Sequence, residues 1–363
     1  MTKIFNVDLI GKPESVTEEI LLLNPHQTPM LAMLGFAGAV SQVEHNWYED
    51  AMFATESTIT ADVTNSATAV VVASVEPFRV NDVIKLGDEL LKVTAINTGT
   101  KTLTVTRGYA GTSAAAGVTG AVIEFQFTES VEGRDAIDAR FKKRERKSNL
   151  TQIFTDTVEI TGTAAAVANY GISDMYTYEQ SKKQLELALQ LEKALINGIK
   201  YENGSVRQMA GLRSLISTNV KDAAGAALAL DMVNDSLQSI YEKGGFATGG
   251  NYEIIVPAKQ KRAVSKFGEN LVRIDQNDRR RGTVVSQLTT DFGEFPVSIN
   301  DNLATNEVFI VDKNRASIRN LNGRDFQHEY LGKKGDYYQG MIVGEYTFEL
   351  HQEQAHARIK GLA

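Results

Sequence analysis

Ser173-Asp174-Met175-Tyr176-Thr177-Tyr178-Glu179-Gln180-Ser181-Lys182-Lys183-Gln184-Leu185-Glu186-Leu187-Ala188-Leu189-Gln190-Leu191-Glu192-Lys193-Ala194-Leu195-Ile196-Asn197-Gly198 reads as one long helix. Ser173 or Asp174 can cap its start, because a short side-chain oxygen there accepts an otherwise unpaired N–H of the first turn. Leu185, Ala188, Leu189, Leu195, Ile196 and Ile199 fall on one broad face, which Leu187, Leu191 and Ala194 widen. Asn197-Gly198 or Asn203-Gly204 supplies the stop. A helix over 173–203 is on the order of 40 Å long at the α-helical rise. That exceeds what one small core needs, so the helix is expected to connect two regions.

On its N-terminal side the chain changes character three times. Residues 131–150 carry the densest charge. From Arg134 to Lys147 the cations Arg134, Arg140, Lys142, Lys143, Arg144, Arg146 and Lys147 outnumber the acids Asp135, Asp138 and Glu145. Such a run reads either as a solvated strand or loop or as a docking surface for an acidic neighbour. Residues 59–130 contain five strand-like runs: Ala69–Ala73, Asp82–Leu86, Glu89–Ile96, Thr102–Thr106 and Ala121–Phe127. Thr102 to Thr106 alternates with period two, and Leu86-Gly87-Asp88-Glu89 and Asn97-Thr98-Gly99-Thr100 punctuate hairpins. A small antiparallel sandwich or open barrel is expected, inserted between flanks that do not share its pattern. Residues 1–58 are interrupted by Pro13, Pro25 and Pro29. Ser15–Leu23 suits one short helix with Glu18 completing a capping box, and Asn24-Pro25 ends it. The apolar stretch Met30 to Phe36 is too short to make a core and must lie along something else.

On the C-terminal side residues 205–363 read as α+β. Helices are expected over Met232–Glu242, capped by Asp231, and over Ala258–Phe267 behind Pro257. Strands are expected at Tyr252–Val256, Phe295–Asn300, Glu307–Asp312, Ala316–Asn320, Phe326–Tyr330 and Met341–Leu350. Arg279-Arg280-Arg281 forms a basic turn that is either solvated or a contact for a partner's carboxylates.

Composition narrows the function classes. The chain has 363 residues, is 42% hydrophobic and 23% charged, and carries a formal net charge of -7. Wholesale disorder is excluded, and the acidic balance argues against a dedicated nucleic-acid binder. It contains no cysteine, which removes disulfides, thiolate metal sites and a Cys nucleophile. No apolar run reaches the ~18 residues of a membrane helix. Met1 to Gly11 lacks a basic region followed by an apolar core, so no signal peptide is expected. A soluble, cytoplasmic protein of several units remains.

The search for catalytic chemistry returns little. The five histidines are His26, His45, His328, His351 and His356, and His351 and His356 are spaced wrongly for a helical ligand pair. Gly244-Gly245 and Gly249-Gly250 lack the Gly-Lys-Ser/Thr ending of a phosphate loop. Asp312-Lys313-Asn314-Arg315-Ala316 begins like a calcium loop, but Ala316 and Ser317 stand where a ligand and a glycine are required. There is no Gly-x-Ser-x-Gly elbow. No cofactor and no metal are expected. A carboxylate pair for glycoside chemistry stays open, but nothing singles one out and Trp47 is the only tryptophan.

Several short features line up with one family. They are Asn24-Pro25-His26-Gln27-Thr28-Pro29-Met30, Asn46-Trp47-Tyr48-Glu49-Asp50, Ser148-Asn149-Leu150-Thr151-Gln152-Ile153-Phe154, and Val158-Glu159-Ile160-Thr161-Gly162-Thr163-Ala164 ahead of the long helix. In this order they resemble the major capsid proteins of tailed bacteriophages with the Hong Kong 97-type fold, in the branch whose N-terminal arm carries Asn-Pro-x-x-Thr-Pro. The resemblance implies an α+β capsid fold with an inserted all-β domain. Residues 1–45 would be the N-terminal arm, and 46–58 with 131–165 the two sides of an extended loop. Residues 59–130 would be the inserted domain, whose segment Phe78 to Gly120 resembles small β modules of phage structural proteins through Arg107-Gly108-Tyr109-Ala110-Gly111-Thr112. Residues 166–212 and 321–363 would form the peripheral domain with its spine helix, and 213–320 the axial domain.

The resemblance also implies a function: a non-enzymatic head-shell subunit assembled in the host cytoplasm, forming hexamers and pentamers of a virion. Portal, scaffold and decoration proteins would be partners, with non-specific contact to packaged double-stranded DNA and none to membrane. Candidate inter-subunit contacts are the Arg134–Lys147 cations and Arg279, Arg280 and Arg281. Pro25, Thr28, Pro29, Trp47, Leu185, Leu189 and Leu195 would pack arm against spine. Competing readings are an encapsulating shell protein, a phage tail or baseplate protein, and a carboxylate-dependent cytoplasmic hydrolase.

Overall fold

The computed structural model describes residues 28–133, 135–137, 139–167, 174–247, 249–267, 287–333 and 335–363. The chain divides into two compact units: residues 1–47 with 146–363, and residues 48–145. The proposed helix Ser15–Leu23, Pro25, Arg134 and Arg279–Arg281 lie outside the described residues.

The first unit is built on the long helix. Its helices are α1 (Pro29–Leu34), α2 (Gly162–Ala166), α3 (Met175–Asn197), α4 (Leu212–Leu215), α5 (Leu230–Glu242) and α6 (Ala258–Phe267). Asp174 caps α3, its carboxylate accepting from the Tyr176 N–H at 2.9 Å and the Thr177 hydroxyl at 2.6 Å. The helix ends earlier than 203. At Gly198 the φ is −56°, so this glycine does not serve the left-handed cap the sequence suggests. It is needed for space: a Cβ there would lie 2.4 Å from the Met209 carbonyl oxygen. Asn203-Gly204 instead turns a hairpin of Tyr201–Asn203 and Val206–Gln208, with Gly204 at φ +58°.

The buried face of α3 is also narrower than expected. Leu187, Leu191, Leu195 and Ile196 are fully buried, whereas Leu189 is half-buried, Leu185 is 44% exposed and Ile199 is 67% exposed. The stripe is therefore centred on the i, i+4, i+8 line through Leu187. It packs with Met30, Phe154, Ile318, Ile342 and Phe348. The facing sheet runs in the order Phe36–Val40, Ala316–Leu321, Tyr337–Leu350, Gln152–Thr161, with Gln327–Lys333 also paired to Tyr337–Leu350. Three sequence boundaries shift as a result. Gln152–Thr161 is a core strand, Ala316–Leu321 joins the same sheet as Tyr337–Leu350, and the chain's last strand, Ala357–Lys360, does not. That strand pairs with Val220–Asp222 and Val308–Asp312, where its Ala357 and Ile359 fill a second core.

Glu192 joins the start of α1 to α3. Its buried carboxylate accepts from the Met30 N–H at 2.9 Å, the Leu31 N–H at 3.0 Å and the Asn300 amide at 2.6 Å. Burial raises its pKa, with these donors pulling the other way. The start of α1 thus meets α3 at Glu192, with Pro29 at the first helical position of α1. Thr28 and Pro29 are both half-buried.

The second sheet orders Val220–Asp222, Ala357–Lys360, Val308–Asp312, Tyr252–Val256, Gly293–Ile299 and Gln287–Thr290. α5 starts at Leu230, two residues before the expected Met232, and Asp231 sits in its first turn instead of capping it. Where the two sheets exchange strands, His356 is fully buried. Its Nδ1 accepts from the Asp312 N–H at 3.1 Å and its Nε2 lies 3.3 Å from the His351 carbonyl oxygen. Both contacts suit the neutral ring. Burial pulls its pKa from 6.5 to about 4. The unfolded chain therefore binds the extra proton first. Stability is full above about 6.5 and falls by about 3 kcal/mol as pH drops towards 4. Urea melts between pH 7 and 4 should show this slope, and His356→Gln should flatten it; an unchanged slope would contradict the assignment.

The second unit is a closed barrel, where the sequence suggested a sandwich or an open one. Its strands run Glu56–Thr58, Val122–Thr128, Asp82–Leu86, Glu89–Asn97, Thr102–Thr106, Ala69–Val71. The ends meet through an Ile59–Val72 bridge, with the Thr60 N–H donating to the Val71 carbonyl at 3.0 Å and the Ala73 N–H to the Thr58 carbonyl at 2.8 Å. Closure removes the sheet edges. Val70, Ile84, Leu91, Val93, Leu103 and Ile123 fill the inside. The Arg107 signature is a buried charge pair. Arg107 donates to Glu89 from Nε at 2.8 Å and Nη2 at 2.6 Å, while the Gly108 and Ala115 N–H groups complete the carboxylate at 2.9 and 3.0 Å. Burial would push Glu89 up, but these donors outweigh it and hold its carboxyl below the usual range.

Candidate assembly interface

Glu44–Glu49 and Glu145–Leu150 pair as a two-stranded ribbon. At its foot, Asn149 is wholly buried and donates to the Ala210 and Phe348 carbonyls at 3.0 and 2.7 Å, while its own oxygen accepts the Ala210 N–H at 2.8 Å. Trp47, 6% exposed, lies between the rings of His45 and His351, at 5.9 and 6.0 Å. Glu349 gathers His351 at 2.8 Å, His45 at 3.4 Å and Arg319. Burial alone would raise the Glu349 carboxyl, but His351 and Arg319 outweigh it and hold it at about 2.

The predicted basic residues are spread along this ribbon and its continuation. Arg146 donates to Asn46 at 2.9 Å and meets Glu44 at 3.5 Å. Arg144 meets Asp50 at 3.4 Å, and Lys142 donates to the Met52 carbonyl at 3.4 Å. The Arg140 guanidinium lies 4.0 Å over the Phe53 ring and donates to the Pro77 carbonyl at 3.2 Å. Several of these cations therefore hold the chain's own strands in register. Lys147 acts electrostatically on Glu353, and Lys143 is exposed.

The feature the sequence reading passed over is apolar. Met52 is 92% exposed and Phe141 is 87% exposed. The available signal was a phenylalanine set between Arg140 and Lys142 in a charge run. Both belong to the stretch that continues the ribbon, where Lys142, next to Phe141, donates to the Met52 carbonyl.

Among the described residues no group of three His, Asp or Glu side chains could hold a metal ion. A depression of about 310 Å³ on the barrel is lined by Lys85, Gly87, Ala121, Val122 and Glu124, with one carboxylate. No helix among the described residues is long and apolar enough to cross a membrane.

The mixed α+β architecture matches solved phage capsids at low identity, which speaks to the fold. The cyanophage A-1(L) capsid asymmetric unit matches with TM-score 0.57 and 10% identity, covering 98% of each chain. A chain of Mycobacterium phage Adephagia matches at TM-score 0.52 and 9% identity, over 100% of this chain and 99% of that one. The capsid of a native GTA particle matches at TM-score 0.52 and 12% identity, over 97% and 95%. This is the Hong Kong 97-type capsid fold. The major capsid protein of Escherichia phage Phieco32 is 41% identical over 68 residues, which is 19% of each chain. The SU10 major capsid protein family model matches residues 1–363. The chain therefore belongs to the SU10 major capsid protein family.

Proposed function

We propose that this major capsid protein is a non-catalytic subunit that closes into an icosahedral phage head of hexamers and pentamers around double-stranded DNA. The observation that carries the reading is the ribbon with its exposed Met52 and Phe141. A two-stranded ribbon is marginal alone and gains stability by covering a neighbour. Residues 46–53 and 139–150 act as the extended loop, and the barrel is the domain inserted into it. The stretch up to residue 45 serves as the arm. α3 with its sheet forms the peripheral region, and the six-stranded sheet with α5 and α6 forms the axial region. Portal, scaffold and decoration proteins are further partners, and contact with packaged DNA is non-specific, consistent with a net charge of -7.

Negative-stain microscopy of the purified chain tests this, with closed particles or capsomer rings expected. Phe141→Asp combined with Lys143→Glu should lower particle yield about ten-fold or more while leaving the thermal melt unchanged, because both side chains are exposed. A wild-type chain that stays monomeric, or a double variant that assembles normally, would count against the ribbon's role.

A further inference from the structure

The six-stranded sheet carries two helices of opposite charge. Val233, Leu237 and Ile240 of α5 and Val264 of α6 pack into one core with Tyr252, Ile254 and Val256, so both helices cover the same face of the sheet. Their outer faces differ. α5 exposes Asp231, Asp235 and Glu242 and contains no Lys or Arg. α6 exposes Lys259, Arg262 and Lys266 and contains no Asp or Glu. Among the described residues, none of these three cations has an ion pair or a side-chain hydrogen bond. On the acidic side, Asp235 is 3.0 Å from Lys221, in a pair where both side chains are about half exposed. The spacings also match. Asp235 to Glu242 and Lys259 to Lys266 each cover two helical turns, about 10 Å.

We propose that the basic face of α6 on one copy docks against the acidic face of α5 on the next copy. The inference rests on the shell-subunit reading and specifies one of its contacts. Two such patches on one chain pair either reciprocally across a two-fold axis or head-to-tail; the arrangement proposed is the head-to-tail one, which repeats around a ring until the rotation closes. Opposed charges of this kind set register and encounter rate more than raw affinity, and salt screens them. A duplex as the partner of α6 is disfavoured because the same sheet face holds the acids of α5.

The test uses three full-length charge sets at low ionic strength. One reverses α6 (Lys259→Glu, Arg262→Glu, Lys266→Glu), one reverses α5 (Asp231→Lys, Asp235→Lys, Glu242→Lys), and one carries both. Each single set should lower capsomer and particle yield about ten-fold or more with little change in thermal melt, since exposed charges contribute little to folding. The combined set should recover most of the yield. Single sets that assemble like the parent, or a combined set no better than either single one, would overturn the contact while leaving the shell reading intact. An α6-reversed chain that forms normal particles but releases packaged duplex would also overturn it, in favour of a phosphate partner. A parent chain that never leaves the monomeric state overturns both readings.

A second measurement uses the absence of native cysteine. Asp235→Cys with Arg262→Cys should oxidise to a ladder of linked chains extending beyond the dimer. Only monomer, or a ladder that stops at dimer, would refute a head-to-tail ring.

Discussion

Leu191→Asp in α3 is expected to leave the first unit unfolded at room temperature. Leu191 is fully buried in the core that holds Met30, Ile318, Phe309 and Phe348. Losing a buried leucine side chain costs about 2–5 kcal/mol. Placing a carboxylate there without a partner adds several more, and the fully buried Glu192 beside it gives no relief. The total rivals the whole stability of an ordinary domain, about 5–15 kcal/mol. Circular dichroism melts and limited proteolysis would read the loss. Leu185→Asp is the matched control: Leu185 is 44% exposed, and its change should stay within about 1 kcal/mol. If both variants melt alike, the buried stripe of α3 has been misplaced.

Arg107→Met should unfold the barrel and spare the first unit. It leaves the Glu89 carboxylate buried with only the Gly108 and Ala115 N–H groups as donors. Breaking a buried pair from one side costs about 3–5 kcal/mol. The cationic side also ties the loops together, because Arg107 donates to the Thr64 carbonyl at 2.7 Å and the Ala67 carbonyl at 3.1 Å. Hydrogen exchange should show protection lost in Asp82–Leu86 and Glu89–Asn97 and kept in Ala316–Leu321, because the two units have separate cores. Uniform loss across both units would argue against this independence.

Much of the fold was legible because periodicity is local. The alternation of Thr102 to Thr106 and the apolar repeat of α3 each declare an element type without help from distant residues. The same locality explains the misses. Whether Leu185 or Leu187 is buried depends on where the sheet lies, and both fit a broad apolar face. Gly198 looks like a cap from its neighbours, yet its requirement comes from the Met209 carbonyl. From the charge run, Arg146 on the ribbon and Arg144 just beyond it meet the chain's own acids Glu44 and Asp50, whereas Phe141 and Met52 are strongly exposed apolar side chains of the same stretch.

By itself the sequence determined the types of the longer elements, such as α3, α5, α6 and the strands within 69–127, a cysteine-free chain with no disulfide staples, and the all-β character of residues 59–130. It also carried the motif order that pointed to the capsid family. The tertiary structure alone decided that the barrel closes and that the last strand crosses to the second sheet. It also decided that Glu192 is buried against the start of α1, and that α5 and α6 turn opposite charges outward. These depend on pairings between residues far apart in the chain, where strand ends meet or a carboxylate finds its donors. No local pattern encodes such meetings.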